Sequence, residues 1–432
     1  MLFYLTIFIS TFFSVYHLIS SLKFADRRVL YEVQERGITI LVPCYNESPI
    51  LKYTIDGLLN IDYKHFEVMI INDGSNDDSF EVLVDLLDLV LWEGESFTLL
   101  SDEVKLEVKG KYRSKTHPFI YVIDKSNSGK AKSLNVGTYY AKNDLIVTMD
   151  ADCVLDKKAL NNMNATFDDE DVIASGGVVH IMQMFKLDQK VSIIVLLQAL
   201  DYIKGFYVYK ASLAYNDALS IISGAFGVFR KGIILELGGF KAGLGEDIDI
   251  TLRVQEYAKE NNKKVLFNKN AICYTECPES IKELVGQRVR WQKGFIDALL
   301  NNSIFLFKNI FCNNVCFYII IDALLSNSFA TVVFIINIIL ICTKIAYGYS
   351  LYVLIYYLTT LLFNVISSVI AIKCAKRNIP QLKTKPLYLM IFYDLVFFQL
   401  LRIYFFFKGT ATYYYDNKHW HKVVRTNHSY RV

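Results

Sequence analysis

Apolar and polar positions divide this chain into two kinds of territory. From Leu2 to Leu22 no charged residue interrupts an apolar run. Three further apolar stretches, at 315–342, 349–372 and 387–407, are each long enough to cross a hydrocarbon core of about 30 Å. Between these ends, short apolar runs alternate with polar turns, as in a folded aqueous domain. The boundaries that follow are a transmembrane helix over 1–22, an aqueous domain over 23–310, transmembrane helices over 311–408 and a basic tail over 409–432. Inside the aqueous domain, GITILVPCY (Gly37 to Tyr45) predicts a strand and Pro49 to Leu59 a helix, and HFEVMIINDGS repeats the arrangement. Further strands are expected at Phe119 to Asp124, Leu145 to Met149 and Ile173 to His180. Strands alternating with helical patterns imply an α/β domain whose mostly parallel sheet is covered on both faces. Ligands of such sheets bind beyond the carboxyl ends of the strands.

Charge placement orients the ends. Lys23, Arg27 and Arg28 follow the first apolar run, so it reads as an anchor with its N-terminus outside and the aqueous domain in the cytosol. It lacks the positive start and small-residue exit of a cleaved signal. The loop with Lys373, Lys376, Arg377, Lys383 and Lys385 belongs inside as well. Three C-terminal crossings would then put Lys408, Lys418, Lys422, Arg425 and Arg431 outside, against the same rule. Either the stretch from Ile304 to Lys344 holds an interfacial helix plus a second crossing, or the last run does not fully cross. Over 432 residues, 53% hydrophobic against 21% charged argues against a purely soluble chain. A net charge of +3 is too small for an electrostatic nucleic-acid binder, so no nucleic-acid partner is expected. The 8 Cys form no paired CxxC framework, which leaves reduced thiols as the expectation.

Candidate chemistry sits at the predicted strand ends. Asp73 closes one strand in INDGSNDD, and Asp150 and Asp152 close another in TMDADC, a spacing that can bind a divalent metal together with a sugar hydroxyl. Lys130, in NSGKAKSLN, is a cation suited to a diphosphate. In GLGEDIDITLRVQEYAKE, Glu246 and Asp247 open an amphipathic helix. Asp247 there is either a capping residue or a general base. QRVRWQKG offers the amide of Gln287, the guanidinium of Arg290 and the indole of Trp291, as an interfacial anchor or as a surface for diphosphate and sugar.

Taken in order, VPCYNES, INDGSNDDS, GKAKSLN, DAD, GED and QRVRW, followed by apolar helices, resemble the processive glycosyltransferases of family 2, which include cellulose, hyaluronan and poly-N-acetylglucosamine synthases. The resemblance runs from about Gly37 to Gly294 and implies a GT-A (Rossmann-like) cytosolic domain plus transmembrane helices in the plasma membrane. By the same resemblance Tyr45, Glu47 and Asp73 line a uridine pocket and Lys130 lies near the nucleotide. Asp150 and Asp152 hold a UDP-sugar through Mg2+ or Mn2+, and Asp247 is the catalytic base of an inverting transfer. Ser223, Gly224, Glu246, Gln287 and Trp291 belong to the acceptor side, while Arg290 faces the departing UDP. Phe185 to Tyr209 becomes either a membrane-interface helix or a core helix. The expected product is a β-linked polymer of the poly-N-acetylglucosamine kind, with membrane lipid around the helices and an accessory export subunit or a homo-oligomer as possible company. A single addition to a lipid acceptor and a silent scaffold are the competing functions. QRVRW favours processivity, and the intact acids oppose the scaffold. No module resembling a cyclic-di-GMP receptor follows the helices, and Ser96 to His117 exceeds the minimal family pattern.

Overall fold

In the computed structural model, residues 2–25, 34–93, 107–185, 191–329, 332 and 350–415 are described. The branched run ITILVPC forms β1 (Ile38–Cys44) and FEVMIIND forms β2 (Phe66–Asp73). They are followed by β3 (Leu89–Leu91), β4 (Val108–Ser114), β5 (Ile120–Lys125), β6 (Leu145–Thr148), β7 (Cys153–Leu155), β8 (Val172–Ile181), β9 (Gly227–Arg230) and β10 (Lys264–Thr275). All ten make one sheet in the order β3-β4-β5-β2-β1-β6-β9-β8-β10-β7. The pairings leave β4, β7 and β9 running against the other seven, so the expected mostly parallel sheet is found. Pro43 sits in a central strand without cost to both ladders, because pairing of β1 with β6 stops at Leu41 and Thr148. Both faces are covered, and every residue of β8 is buried.

Five of the ten strands, β3, β4, β7, β9 and β10, were not among those expected from the sequence. β9, from the GVFR of ISGAFGVFR, is wedged antiparallel between β6 and β8. The basic segment before the third expected strand supplies β4, whose Lys111 lies over Trp92 and whose Arg113 lies over Tyr121. The first part of that segment, 96–106, lies outside the described residues.

The stretch expected as interfacial or core is a core helix. Ser192 caps Ile193–Lys204, its hydroxyl accepting from the amide of Val195. Val195, Leu197, Leu200 and Ile203 are buried against β8 on one side and the C-terminal helices on the other. The chain continues through a π-helical segment, Gly205–Lys210, into Ala211–Tyr215. The N-terminal run is a single helix, Leu2–Ala25, packed on Ala211–Tyr215 and on the π-helical Tyr318–Phe329.

Among the described residues two helices are long and apolar enough to cross a membrane, Leu358–Asn378 and Lys385–Tyr413. They correspond to the expected spans at 349–372 and 387–407. The span expected at 315–342 is described as Asn314–Phe317 and Tyr318–Phe329, with its remainder outside the described residues. Arg27, Arg28, Lys418, Lys422, Arg425 and Arg431 also lie outside them.

Candidate active site

Because β1, β2, β5 and β6 run parallel, the loops that follow them converge on one edge of the sheet. Tyr45 and Glu47 lie in the first of these loops, Asp73 opens the second, Lys130 ends the third, and Asp150 and Asp152 occupy the fourth. Asn46, with a left-handed φ of 54°, turns the first loop toward the second. There its amide donates to Ser75 and its side-chain oxygen accepts from the amide of Asn76 at 2.7 Å, while Asn76 Nδ2 donates to the Tyr45 hydroxyl at 3.3 Å. The Glu47 amide donates to Ser79 Oγ at 2.8 Å, and Ser48 donates to Asp77. Burial tends to raise the Asp77 carboxyl, but hydrogen bonds from Ser79 and Ser48 hold it below the usual range.

Asp73 is more than a lining residue. It stands opposite Lys125 in the parallel ladder, and the two buried side chains meet at 2.6 Å. Asp73 also accepts from the amides of Ser128 at 3.0 Å and Gly129 at 2.8 Å, where Gly129 takes a φ of 93°. Glu107, at the head of β4, receives Ser128 Oγ at 2.9 Å and Lys132 at 3.0 Å. These contacts shape the turn that presents Lys130. Neither Lys125 nor Glu107 stood out in the sequence, although Lys125 lies in the same IDKSNSGK run as Lys130.

Lys130 then gathers the acids. Its ammonium pairs with Asp150 at 2.7 Å and Glu246 at 2.9 Å. Burial opposes its charge, yet Asp150, Glu246 and Asp247 together push its pKa well above the ordinary value. Gly224 lies directly beside it, and a Cβ there would come within 2.8 Å of the Lys130 nitrogen. The ISGAFG loop is tied to the acidic helix, Glu246–Glu260, in two places. The Ile222 amide donates to Thr251 Oγ1 at 2.9 Å, and the Gly224 amide donates to Asp247 at 3.4 Å. Ser223 closes the turn by accepting from the amide of Phe226 through its carbonyl.

Asp247 occupies the first turn of that helix without acting as its side-chain cap, a role absent at Gly245 too. Its carboxyl is pushed up to about 6, first by burial and then by the Glu246 carboxylate, while Lys130, Lys210 and the Gly224 amide pull the other way. Lys210, in the π-helical segment, is brought down to about 8 by burial, against the attraction of Asp247. Its ammonium sits 4.4 Å over the ring of Phe206. Nothing around Lys210 in the sequence marked it.

Oxygen atoms of Asp150 and Asp152 and the Cys153 sulfur lie within 4.8 Å of one another. Two carboxylates at this spacing fit a hard divalent cation such as Mg2+ or Mn2+.

Gln287, Arg290 and Trp291 project from the helix Ile281–Asn301. Gly294 and Gly245 let that helix touch the loop before Glu246 backbone to backbone, since a Cβ on either would approach the other segment within 2.5 Å. Asn302 adds a hydrogen bond of 3.0 Å to buried Asp249 on the acidic helix. The Gln287 amide oxygen is shielded and accepts no hydrogen bond among the described residues. Trp291 is 39% exposed, with Arg288 4.4 Å over its ring and Tyr202 beside it.

The chain is 26% identical over 309 residues to the poly-beta-1,6-N-acetyl-D-glucosamine synthase of Staphylococcus aureus, and equally identical over 307 residues to that of Staphylococcus epidermidis. Each alignment takes in 68% of this chain and spans 66% of the relative's length. Among solved structures, the mannosyltransferase PcManGT from Pyrobaculum calidifontis, in complex with GDP-Man and Mn2+, superposes with a TM-score of 0.55 at 14% identity, covering 97% of this chain and all of that one. That likeness is one of fold, the mixed α/β GT-A type. The family model described as glycosyl transferase family 2 matches residues 39–238, and that of glycosyl transferase family group 2 matches residues 145–400, more than half of the chain. The chain therefore belongs to the family 2 glycosyltransferases.

Proposed function

We propose that the chain is a membrane-embedded, inverting glycosyltransferase that uses a UDP-sugar to extend a β-linked polysaccharide of the poly-N-acetylglucosamine kind and passes it outward. The observation that carries this is the Lys130–Asp150–Glu246 cluster set against Asp247, a carboxyl whose pKa of about 6 suits proton transfer near neutral pH. In this reading Asp247 takes the proton of the acceptor hydroxyl as that oxygen attacks the anomeric carbon, and UDP leaves from the opposite face. Tyr45, Glu47 and Asp73 serve the uridine end, with Asp73 acting through the Ser128–Gly129 turn that it organises. Lys130 and Arg290 favour the diphosphate, and Trp291, Gln287, Ser223 and Gly224 receive the acceptor. Asp150 and Asp152 would hold Mg2+ or Mn2+, which when bound supplies positive charge against the departing diphosphate. The two relatives' names support the polymer, the two apolar helices support a membrane setting, and the basic residues after the first apolar run favour the cytosolic side for the site.

The test is UDP release by purified protein across a panel of UDP-sugars with Mn2+ or Mg2+, with product size read on a gel. One donor should give a long product, and Asp247→Asn should cost roughly 10²–10⁴-fold in turnover while UDP still binds. A short lipid-linked product would replace this reading with single addition. Binding of UDP without turnover on any donor would overturn it in favour of a silent subunit.

A further inference from the structure

Beneath Trp291 lies a cluster of charges that the proposed chemistry does not use. Asp201, in the helix Ile193–Lys204, pairs with Arg288 at 2.9 Å and with Arg402 at 2.8 Å. Arg402 reaches Asp394 at 2.6 Å, and Asp394 reaches Lys204 at 2.8 Å. Lys204 also donates to Asn364 at 3.2 Å, so four helices contribute to the cluster. Asp394 is almost wholly enclosed, its side chain 2% exposed. Charges so placed in an apolar helix are costly unless they have a task.

The arrangement at Arg288 shows what the task is. One nitrogen of its guanidinium is taken by Asp201, while Nε and Nη2 are buried with no hydrogen bond among the described residues. Its plane instead covers the Trp291 indole, three residues further along the same helix face. Tyr202, next to Asp201, approaches both the ring and the guanidinium. A ring free to swing in a half-open site would be a poor platform for a sugar. Arg288 pinned by a carboxylate fixes one face of the indole and leaves the other for a ligand.

We infer that Asp201 is a positioning residue for the acceptor platform, clamping Arg288 onto Trp291 while Arg402 and Asp394 of the last apolar helix hold Asp201 in place. The inference rests on the assignment of Trp291 to acceptor binding. It makes the seating of the C-terminal helix a condition for holding the growing end. Burial would raise the Asp201 carboxyl, but Arg288 and Arg402 outweigh it and bring it down to about 2, so the clamp stays charged across the working pH range.

The experiment uses the full chain in detergent with Trp92→Phe and Trp420→Phe, which leaves Trp291 as its remaining tryptophan. Asp201→Asn should change the emission of Trp291, raise the acceptor KM roughly tenfold and shorten the product, because a small misplacement of a binding group is expensive. The Kd for UDP-sugar should stay within about twofold of wild type, and Asp201→Glu should restore emission and product length. Arg402→Gln should shift the same readouts in the same direction, and it carries the test alone if Asp201→Asn fails to fold. Unchanged Trp291 emission in these variants overturns the inference, as does an equal loss of donor and acceptor binding. The emission arm needs no turnover, so a wild-type protein that makes no polymer defeats the functional reading and leaves this test standing.

Discussion

Asp247 ionises between opposed fields, and each can be removed singly. Burial and Glu246 disfavour its negative form, while Lys130, Lys210 and the Gly224 amide favour it, for a net pKa of about 6. A base must be deprotonated to act, so kcat/KM of the free enzyme should rise with pH through an acid limb near 6. Lys210→Met takes away a cation that lowers this pKa, so the limb should move to higher pH, with full activity still reached on the alkaline side. A titration of kcat/KM from pH 5 to 9 checks the sign, and an unmoved limb would mean that Lys210 does not reach Asp247. Asp247 was legible in the sequence because GED has its own local pattern. Lys210 was not, because it lies in an apolar run, and its influence on Asp247 comes from the tertiary fold, which brings a residue 37 positions earlier within electrostatic reach of that carboxyl. The same applies to Arg288, which is inside QRVRW yet defined by Asp201, a partner from another helix.

At the scale of elements, two joints hold the site together. The first is the crossing of Gly245 and Gly294. Alanine at Gly294 would set a Cβ 2.5 Å from the Leu244 carbonyl oxygen, and backbone cannot yield as a side chain does. Gly294→Ala should cost about 1–3 kcal/mol of stability and lower transfer more than UDP binding, since it separates the Trp291 helix from the Asp247 helix. Paired thermal melts and UDP titrations would reveal either outcome. The second joint is Asp73 with Lys125. Asp73→Asn takes from a fully buried ammonium the nearer of its two carboxylates, leaving Glu107 at 3.5 Å, at a cost of about 1–3 kcal/mol, and releases the turn that presents Lys130. Donor Kd should therefore rise even though Asp73 itself is almost fully buried, and an unchanged Kd would contradict its role as organiser. The sequence showed β1, β2, β5, β6 and β8 because their apolar runs are continuous, as buried parallel strands require. It hid β4, whose Lys and Arg suit a strand near the open edge, the short β3, β7 and β9, and β10, whose apolar run is broken by Asn268, Lys269 and Asn270.

Across the whole molecule the N-terminal helix meets segments far along the chain where no sequence pattern foretells it. His17, in the N-terminal helix, is bonded to Ser212 at 2.8 Å and to Asp322 at 2.9 Å, partners 195 and 305 residues away, and Tyr209 donates to the same Asp322 oxygen at 3.2 Å. A Ser–His–Asp line of this geometry suggests a nucleophile, but Ser212 is completely buried and offers no path to a substrate. Its consequence is mechanical. The line pins the N-terminal helix to the segment that also carries Lys210, and to Tyr318–Phe329. In an apolar environment each such bond replaces a group that would otherwise be unsatisfied. His17→Leu keeps the volume near that of the imidazole but removes both bonds and strips Asp322 of its histidine. The cost should be about 1–3 kcal/mol, read as a fall in Tm of roughly a few degrees in detergent. At a temperature well below that transition, kcat and the acid limb near pH 6 should match wild type, because His17 touches neither Asp247 nor the carboxylates that would hold a cation. If His17→Leu instead abolished turnover in a folded protein with an unchanged Tm, the line would have to be read as part of the reaction and not as the fastening of the N-terminal helix to the rest of the fold.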